Sequence, residues 1–426
     1  MTHFLLFFFP TGELVRISYL VLLFAILPFF SASQSSDKTT LTVAMLIFSP
    51  EQREVLEELS LTFEQRHPNT KVRYIALDDA NFKKYANDWL TESSEVDVLN
   101  WLWRYRMLEA AQKGTIEPIS ELWQKSQVKE QYDARFKEMV TVNGQQYAIP
   151  YSSTFWGFYY RTSLFEKLGL TSPKSWQDFI GVCRVLKKNN ITPVATSSKN
   201  PWPLAAWFDY LNLRLNGLKF HLNLLAGKES FISPKVRNVF NHWTELIEQG
   251  CVTKDPYNYT FSSSVSLLYR HHAAMILAGS YLWSRTAEKV RDDLSFFPFP
   301  AINPSVASYE EVPTDLLLIP KSSQNKQAAK AFLSFFMEPK TQEIYNQKIQ
   351  FLPVNKGAKI EYSAILQQGK KLIVEAKGTS QYLDRDTSYD FSNAIYKEFT
   401  EYINNGKELE LVLTELEKAR KRIFVE

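Results

Sequence analysis

The chain has 426 residues, of which 45% are apolar and 14% aromatic. That is too long for one ordinary core and predicts two lobes of roughly 150 to 200 residues each. Its 49 basic and 46 acidic side chains leave a formal charge of +3 without any block of like charge, so nothing points to nucleic-acid binding or to a polybasic membrane-surface helix.

Residues 17–30 form an apolar run broken only by Ser18, Tyr19 and Pro28, followed by Ser31, Ala32 and Ser33. This is the pattern of a secretory h-region with a small-residue cleavage site. The run falls short of the about 20 apolar residues that a spanning helix needs, so export with cleavage after Ser33 is expected. Residues 1–14 carry Glu13 and a second apolar stretch, which is unlike an n-region. A translation start near Leu14 or Val15 would leave Arg16 as the n-region charge; N-terminal sequencing of a precursor that begins at Met1 would refute it. Neither Cys183 nor Cys251 lies near the cleavage site, which disfavours a lipid anchor and predicts a periplasmic protein. In that oxidising space two buried thiols are the default and a Cys183–Cys251 disulfide the alternative.

In the mature chain, residues 41–47 read as a buried strand. Ser49 caps the next helix, with Pro50 at its first position and Gln52 completing a capping box. Val55, Leu56, Leu59 and Phe63 make its inner stripe, His67-Pro68-Asn69 ends it, and Val72 and Tyr74 alternate in a second strand. Residues 96–99 form another short strand and 107–113 another helix, stopped by Gly114. The repeat predicts a mostly parallel open sheet, in which ligands gather beyond the carboxyl ends of strands. Asn100, Trp101 and Trp103 are expected just past one such end.

Asn143-Gly144 supplies a positive-φ turn, residues 147–150 make a strand that Pro150 stops, and residues 156–160 are apolar on both faces, as a strand inside a sheet requires. A short helix at 164–168 closes at Gly169. A second helix at 175–188 puts Trp176, Phe179, Ile180, Cys183 and Leu186 on one face. Helices are expected at 202–217 and 234–250.

The segments GQQYAIP (144–150), YYR (159–161), FEKLGL (165–170), PKSW (173–176) and ITP (191–193), in this order and spacing, closely resemble the extracellular solute-binding protein family, in particular its sugar-importer branch. Gln145 stands where the family usually has Lys, and Arg161 where it has Asn. Residues 64–68, 273–283, 296–300 and 328–336 extend the resemblance, and the last seventy or so residues match loosely. The resemblance implies an α/β, two-lobed periplasmic-binding-protein-like fold (type II), each lobe a mixed, mostly parallel sheet flanked by helices, with a cleft between. It places residues 34–150 and 301–350 in the first lobe and 151–300 and 351–426 in the second. The chain is expected to cross between lobes near 147–154, 298–301 and 351–355.

The chain holds 10 Trp and 21 Tyr. A flat aromatic face can lie on the C–H face of a pyranose while carboxylates and amides receive its hydroxyls. The candidate platforms are Trp101, Trp156, Trp202, Tyr281 and Trp283, although any single one is more often core than platform. Trp202 lies in a Pro201–Pro203 loop where burial is less automatic. The family's stacking Trp follows a Gly, which Gly279 and Trp283 resemble, although Tyr281 is closer to the glycine. Asp97 and Asp315, carboxylates in apolar strand contexts, must bond either backbone or ligand. Arg385, in the run Asp384-Arg385-Asp386, reaches either a ligand hydroxyl or its neighbours. Asn100 and Tyr151 complete the expected ligand set.

Enzyme signatures are thin. There is no Gly-x-Ser-x-Gly, His-Glu-x-x-His, Cys-x-x-Cys or phosphate loop, and the adjacent pair His271-His272 does not suit a shared metal. Paired carboxylates for glycoside hydrolysis are spaced in space rather than in sequence, so a secreted carbohydrate-active enzyme stays open as the rival class. The reading is a periplasmic receptor that closes on a sugar or related polar small molecule and delivers it to the membrane subunits of an ABC importer. A ligand sensor for a membrane kinase is an alternative, and cationic ligands such as polyamines stay open. A monomer is expected, with no cofactor, no metal and no nucleic acid.

Overall fold

The computed structural model describes residues 38–91, 95–102 and 104–424. The expected signal segment 1–33 and Trp103 lie outside them. Nine strands build two sheets: β1 (Thr39–Leu46), β2 (Thr70–Leu77), β3 (Val98–Trp101), β4 (Ala148–Ser153), β5 (Trp156–Arg161), β6 (Thr192–Ala195), β7 (Ala273–Gly279), β8 (Leu294–Phe297) and β9 (Thr314–Leu318). The first sheet has the order β2-β1-β3-β9-β4, the second β8-β5-β7-β6.

Both sheets are mixed, but the parallel share is smaller than the repeated strand–helix pattern predicts. In the first, β1 runs parallel to β2 and β3, whereas β9 is antiparallel to β3 and β4. In the second, only β6 and β7 are parallel. The antiparallel partners β4 and β9 carry the chain between the sheets in opposite directions, which a purely parallel crossover pattern does not provide for. β4 does not stop at Pro150. It continues to Ser153 because it is the sheet's edge strand, where a missing N–H costs no ladder bond, and a register irregularity at Asp315/Leu316 of β9 accommodates the proline.

Local chemistry fixes the helix ends. Ser49 accepts from the Gln52 N–H and Gln52 reaches back to the Phe48 N–H, opening the helix Pro50–Arg66. Ser175 and Asp178 form a reciprocal capping box for the helix Trp176–Lys188, whose buried face includes Trp176, Phe179, Ile180, Cys183 and Leu186 as predicted. Trp202 is the first residue of a helix, Trp202–Leu225, rather than part of a loop; Pro203 suits the first turn because its missing N–H would be unpaired there anyway. That helix is interrupted at Gly217, whose φ of 78° only glycine adopts without strain.

The cores follow the sheets. One packs Leu41, Val43, Phe63, Trp101, Tyr151, Leu316–Leu318 and Phe336; the second sheet carries one core on each face, around Phe158, Trp207 and Phe399, and around Phe155, Tyr159 and Phe296. Cys183 and Cys251 are both buried and unbridged, with their thiols in contact. Burial and the neighbouring sulfur push the Cys183 thiol far up, so it is inert. Among the described residues, no helix is long and apolar enough to cross a membrane.

Candidate functional site

β4 ends at Ser153 and β5 begins at Trp156, so this short passage sets the seam between the two sheets. On the second-lobe side five rings gather. Trp156 lies at a centroid distance of 4.9 Å from Tyr382, 5.7 Å from Tyr281 and 6.3 Å from Trp202. Phe261 completes the group, 4.8 Å from Trp202 and 5.7 Å from Tyr281. Trp202, Phe261 and Tyr281 keep part of their surface open. Tyr281 packs against both the first-lobe core and the second.

Gly279 is what lets Tyr281 lie here. A Cβ at that position would stand 2.5 Å from Tyr281 Cε1 and 2.9 Å from Trp156 Nε1, closer than real Cβ contacts come. Tyr382 is held by its hydroxyl, which donates to the Trp202 carbonyl and accepts from the Ala206 N–H at 3.2 Å. Across the seam, Arg385 Nη1 meets Asp315 Oδ1 at 3.2 Å. Burial raises the Asp315 carboxyl, and the Arg385 charge opposes that rise. Arg285 lies over Tyr281 and over Phe48 of the first lobe, 5.9 Å and 5.3 Å from the two ring centroids.

The structure therefore brings together Trp156, Trp202, Gly279 and Tyr281, places the Asp315–Arg385 pair at the turn that carries Tyr382, and sets the other expected residues apart from the rings. Asp97 precedes β3, at the amino end of the strand, and is spent internally: it accepts from the Thr42 N–H (2.9 Å), the Ser323 hydroxyl (2.8 Å) and the Asn325 amide (3.2 Å). Asn100 and Trp101 lie within β3 rather than past its end. Asn100 donates to the Tyr151 hydroxyl at 3.1 Å and to the Leu316 carbonyl at 3.2 Å, tying β3 to β9 and β4. Trp101 is fully buried, and Tyr151 packs edge-on against Phe336 and Tyr345. Trp283 turns away from the rings to lie under the Arg291 guanidinium, 5.3 Å from its centroid, against the core around Phe155.

Three groups at the seam escaped the sequence reading. Tyr382 stands two residues before the Asp384-Arg385-Asp386 charge run that did draw notice, and Phe261 opens a helix capped by Thr260. Asp209 is a lone carboxylate in the apolar run WPLAAWFDYLNL, which was a legible signal. It is fully buried, accepts from the Leu383 N–H at 2.8 Å and lies against the Glu311 carboxyl, with His221 Nε2 3.8 Å away. Burial pushes the Asp209 carboxyl up to about 8, with the Asp386 and Asp384 charges adding to the rise. Burial likewise pushes Glu311 up and His221 down, the latter to about 3. Among the described residues no group of three or more His, Cys, Asp or Glu could hold a metal ion.

Two α/β lobes on mixed sheets, with rings and an ion pair where they meet, define a bivalved small-molecule binder. The chain belongs to the bacterial extracellular solute-binding protein family, whose model matches residues 48–343. An uncharacterized ABC transporter extracellular-binding protein of Pyrococcus horikoshii is 24% identical over 316 residues, 72% of this chain and 70% of the relative. The crystallised bacterial solute receptor AcbH, described as having an exclusive preference for β-D-galactopyranose, is 26% identical, with a TM-score of 0.84 covering 91% of this chain and all of that one. A chitin oligosaccharide binding protein superposes with a TM-score of 0.83 at 19% identity, covering 92% of this chain and all of that one.

Proposed function

We propose that the mature protein is a periplasmic receptor that captures a saccharide between its lobes, closes on it and passes it unaltered to the membrane subunits of an ABC importer. In this reading residues 1–33 are a signal peptide removed after Ser33. Residues 34–150 with 301–350 form the first lobe, and 151–300 with 351–426 the second. The protein acts as a monomer without cofactor or chemistry on its cargo.

The observation that carries the reading is the pairing of half-open rings with a cross-seam ion pair. Trp202, Phe261 and Tyr281 offer apolar faces to the C–H side of a pyranose, while Arg385, three residues past Tyr382 of the ring group, and its partner Asp315 offer charged groups to the hydroxyls. The ligand's differential affinity for the closed form drives closure. The ABC transporter relative supports the importer, and the sugars bound by the two similar solved proteins support the cargo class.

The test is recovery. Mature protein is incubated with excess mono- and oligosaccharides, freed of unbound sugar, denatured, and its ligand analysed by mass. One unmodified sugar per chain supports the receptor. Cleaved or rearranged sugar accumulating beyond the protein concentration would make the chain a carbohydrate-active enzyme instead.

A further inference from the structure

The turn 381–386 is fastened on three sides. Toward the second lobe, the Leu383 N–H donates to Asp209 at 2.8 Å and the Tyr382 hydroxyl donates to the Trp202 carbonyl. Toward the segment that leads into β9, the Gln381 amide donates to the Val312 carbonyl at 3.0 Å and accepts from the Thr314 N–H at 2.8 Å. Toward the first lobe, Asp386 Oδ1 meets Arg104 Nη1 at 3.5 Å, and Arg385 meets Asp315 at 3.2 Å.

Asp386 is the joint of this assembly. One carboxylate oxygen caps the turn by accepting from the Gln381 N–H at 2.8 Å, which fixes the residue next to Tyr382; the other faces Arg104, the first residue of the first-lobe helix Arg104–Gln112. The carboxylate is 2% exposed and the guanidinium 33%, so the charge that suffers from separation is the acidic one. Its neighbours Asp209 and Glu311 are acidic, and Arg385, whose charge also acts on it, bonds Asp315. Next to it, the Arg106 guanidinium lies over the Tyr389 ring at 4.9 Å, a second contact between the same two segments. Separating the lobes would strip Arg104 from a carboxylate that has little water to replace it, at the modest cost of a pair whose guanidinium is partly exposed. Loss of that restraint would also reach Tyr382 through the Gln381 cap.

We propose that Arg104 and Asp386 are the latch of lobe closure, with Asp386 the positioning residue that couples the latch to Tyr382 in the ring cluster. This deepens the receptor reading and rests on its hinge motion. The turn lies beyond the family match, which ends at residue 343, whereas Arg104 lies within it.

The experiment needs no ligand. Spin labels are placed on exposed helix positions of the two lobes, Glu57→Cys and Glu248→Cys, and the label distance is measured by pulsed dipolar spectroscopy in the wild-type background, in Arg104→Gln, in Asp386→Asn and in the double variant. Each single variant is expected to raise the open-to-closed ratio about fivefold, as loss of about 1 kcal/mol implies, and the double variant is expected to add little to either. The Tyr382 coupling is read from the tryptophan emission of Trp156 and Trp202, which should shift in Asp386→Asn and stay unshifted in the control Lys340→Gln, an exposed residue away from the turn. Unchanged distance distributions in both single variants, or strictly additive effects in the double, would overturn the latch. If the variants open as expected while no saccharide binds the wild type, the latch stands and the receptor's cargo assignment fails.

Discussion

Adding a single methyl at Gly279 tests whether the ring cluster has the shape described. The alanine Cβ would lie 2.5 Å from Tyr281 Cε1, 2.8 Å from Cδ1 and 2.9 Å from Trp156 Nε1. Ordinary carbon contacts need about 3.5–4.0 Å, so the Tyr281 ring must move by about 1 Å or β7 must yield. β7 is held on both sides by β5 and β6, and Tyr281 is the part that can give. Overpacking of this kind costs typically about 1–3 kcal/mol, and the displaced ring is one of the proposed platforms. Urea unfolding of Gly279→Ala should therefore show a loss in that range. In a Tyr281→Ala background, two of the three close contacts vanish and the same substitution should cost less than half as much. An equal cost in the two backgrounds, or a loss under about 0.5 kcal/mol in the otherwise wild-type protein, would refute the packing argument.

Tyr281→Ala is expected to weaken saccharide affinity at least tenfold by titration calorimetry, because it removes a partly open ring that touches both lobes. Asp97→Ala should do the reverse, destabilising the fold by more than about 2 kcal/mol in urea while leaving affinity unchanged, since it strands the Thr42 N–H, Ser323 and Asn325; a large affinity loss at intact stability would return Asp97 to the ligand site. The pH dependence has a defined sign. The Asp209 carboxyl is raised to about 8, so the folded chain keeps a proton that the unfolded chain loses from about pH 4 upward, and this contribution falls as pH rises toward 8. His221, lowered to about 3, acts oppositely between its unfolded value and pH 3, where the unfolded chain takes up the proton. Above about pH 6.5 the Asp209 slope, at most about 1.4 kcal/mol per pH unit, remains alongside that of the neighbouring Glu311 carboxyl, which burial also raises. Asp209→Asn should flatten the wild-type decline between pH 6.5 and 8 in chemical unfolding, and identical slopes would refute it.

Elements whose ends carry their own chemistry were legible in the sequence. The helix Trp176–Lys188 announces itself through Ser175, Asp178 and its apolar stripe, whereas the helix Lys326–Met337 was legible only through the family resemblance. Strand direction was not legible, because the antiparallel course of β9 depends on a return across the seam from far along the chain. The limit of β4 was misjudged at Pro150 because edge position is a property of the whole sheet. At the site, aromatic richness pointed to the right residue types, but burial separates Trp101 from Trp202 only once the sheets are assembled. Asp97 shows the same limit from the polar side: an acid among apolar neighbours must find partners, and sequence alone does not say whether they are backbone or ligand. Tyr382 was missed because its place among the rings comes from hydrogen bonds to a helix some 180 positions earlier in the chain.

A thermal-stability screen of the mature protein and of Tyr281→Ala, against saccharides, polyols and polyamines, tests the central claim most directly. A ligand at about 100 times its dissociation constant adds roughly 2.7 kcal/mol to the folded state. Saccharide capture at the seam predicts a saturable upward shift with at least one sugar in the wild type and its loss in Tyr281→Ala. A shift with polyamines alone, or an equal sugar shift in both proteins, would contradict it.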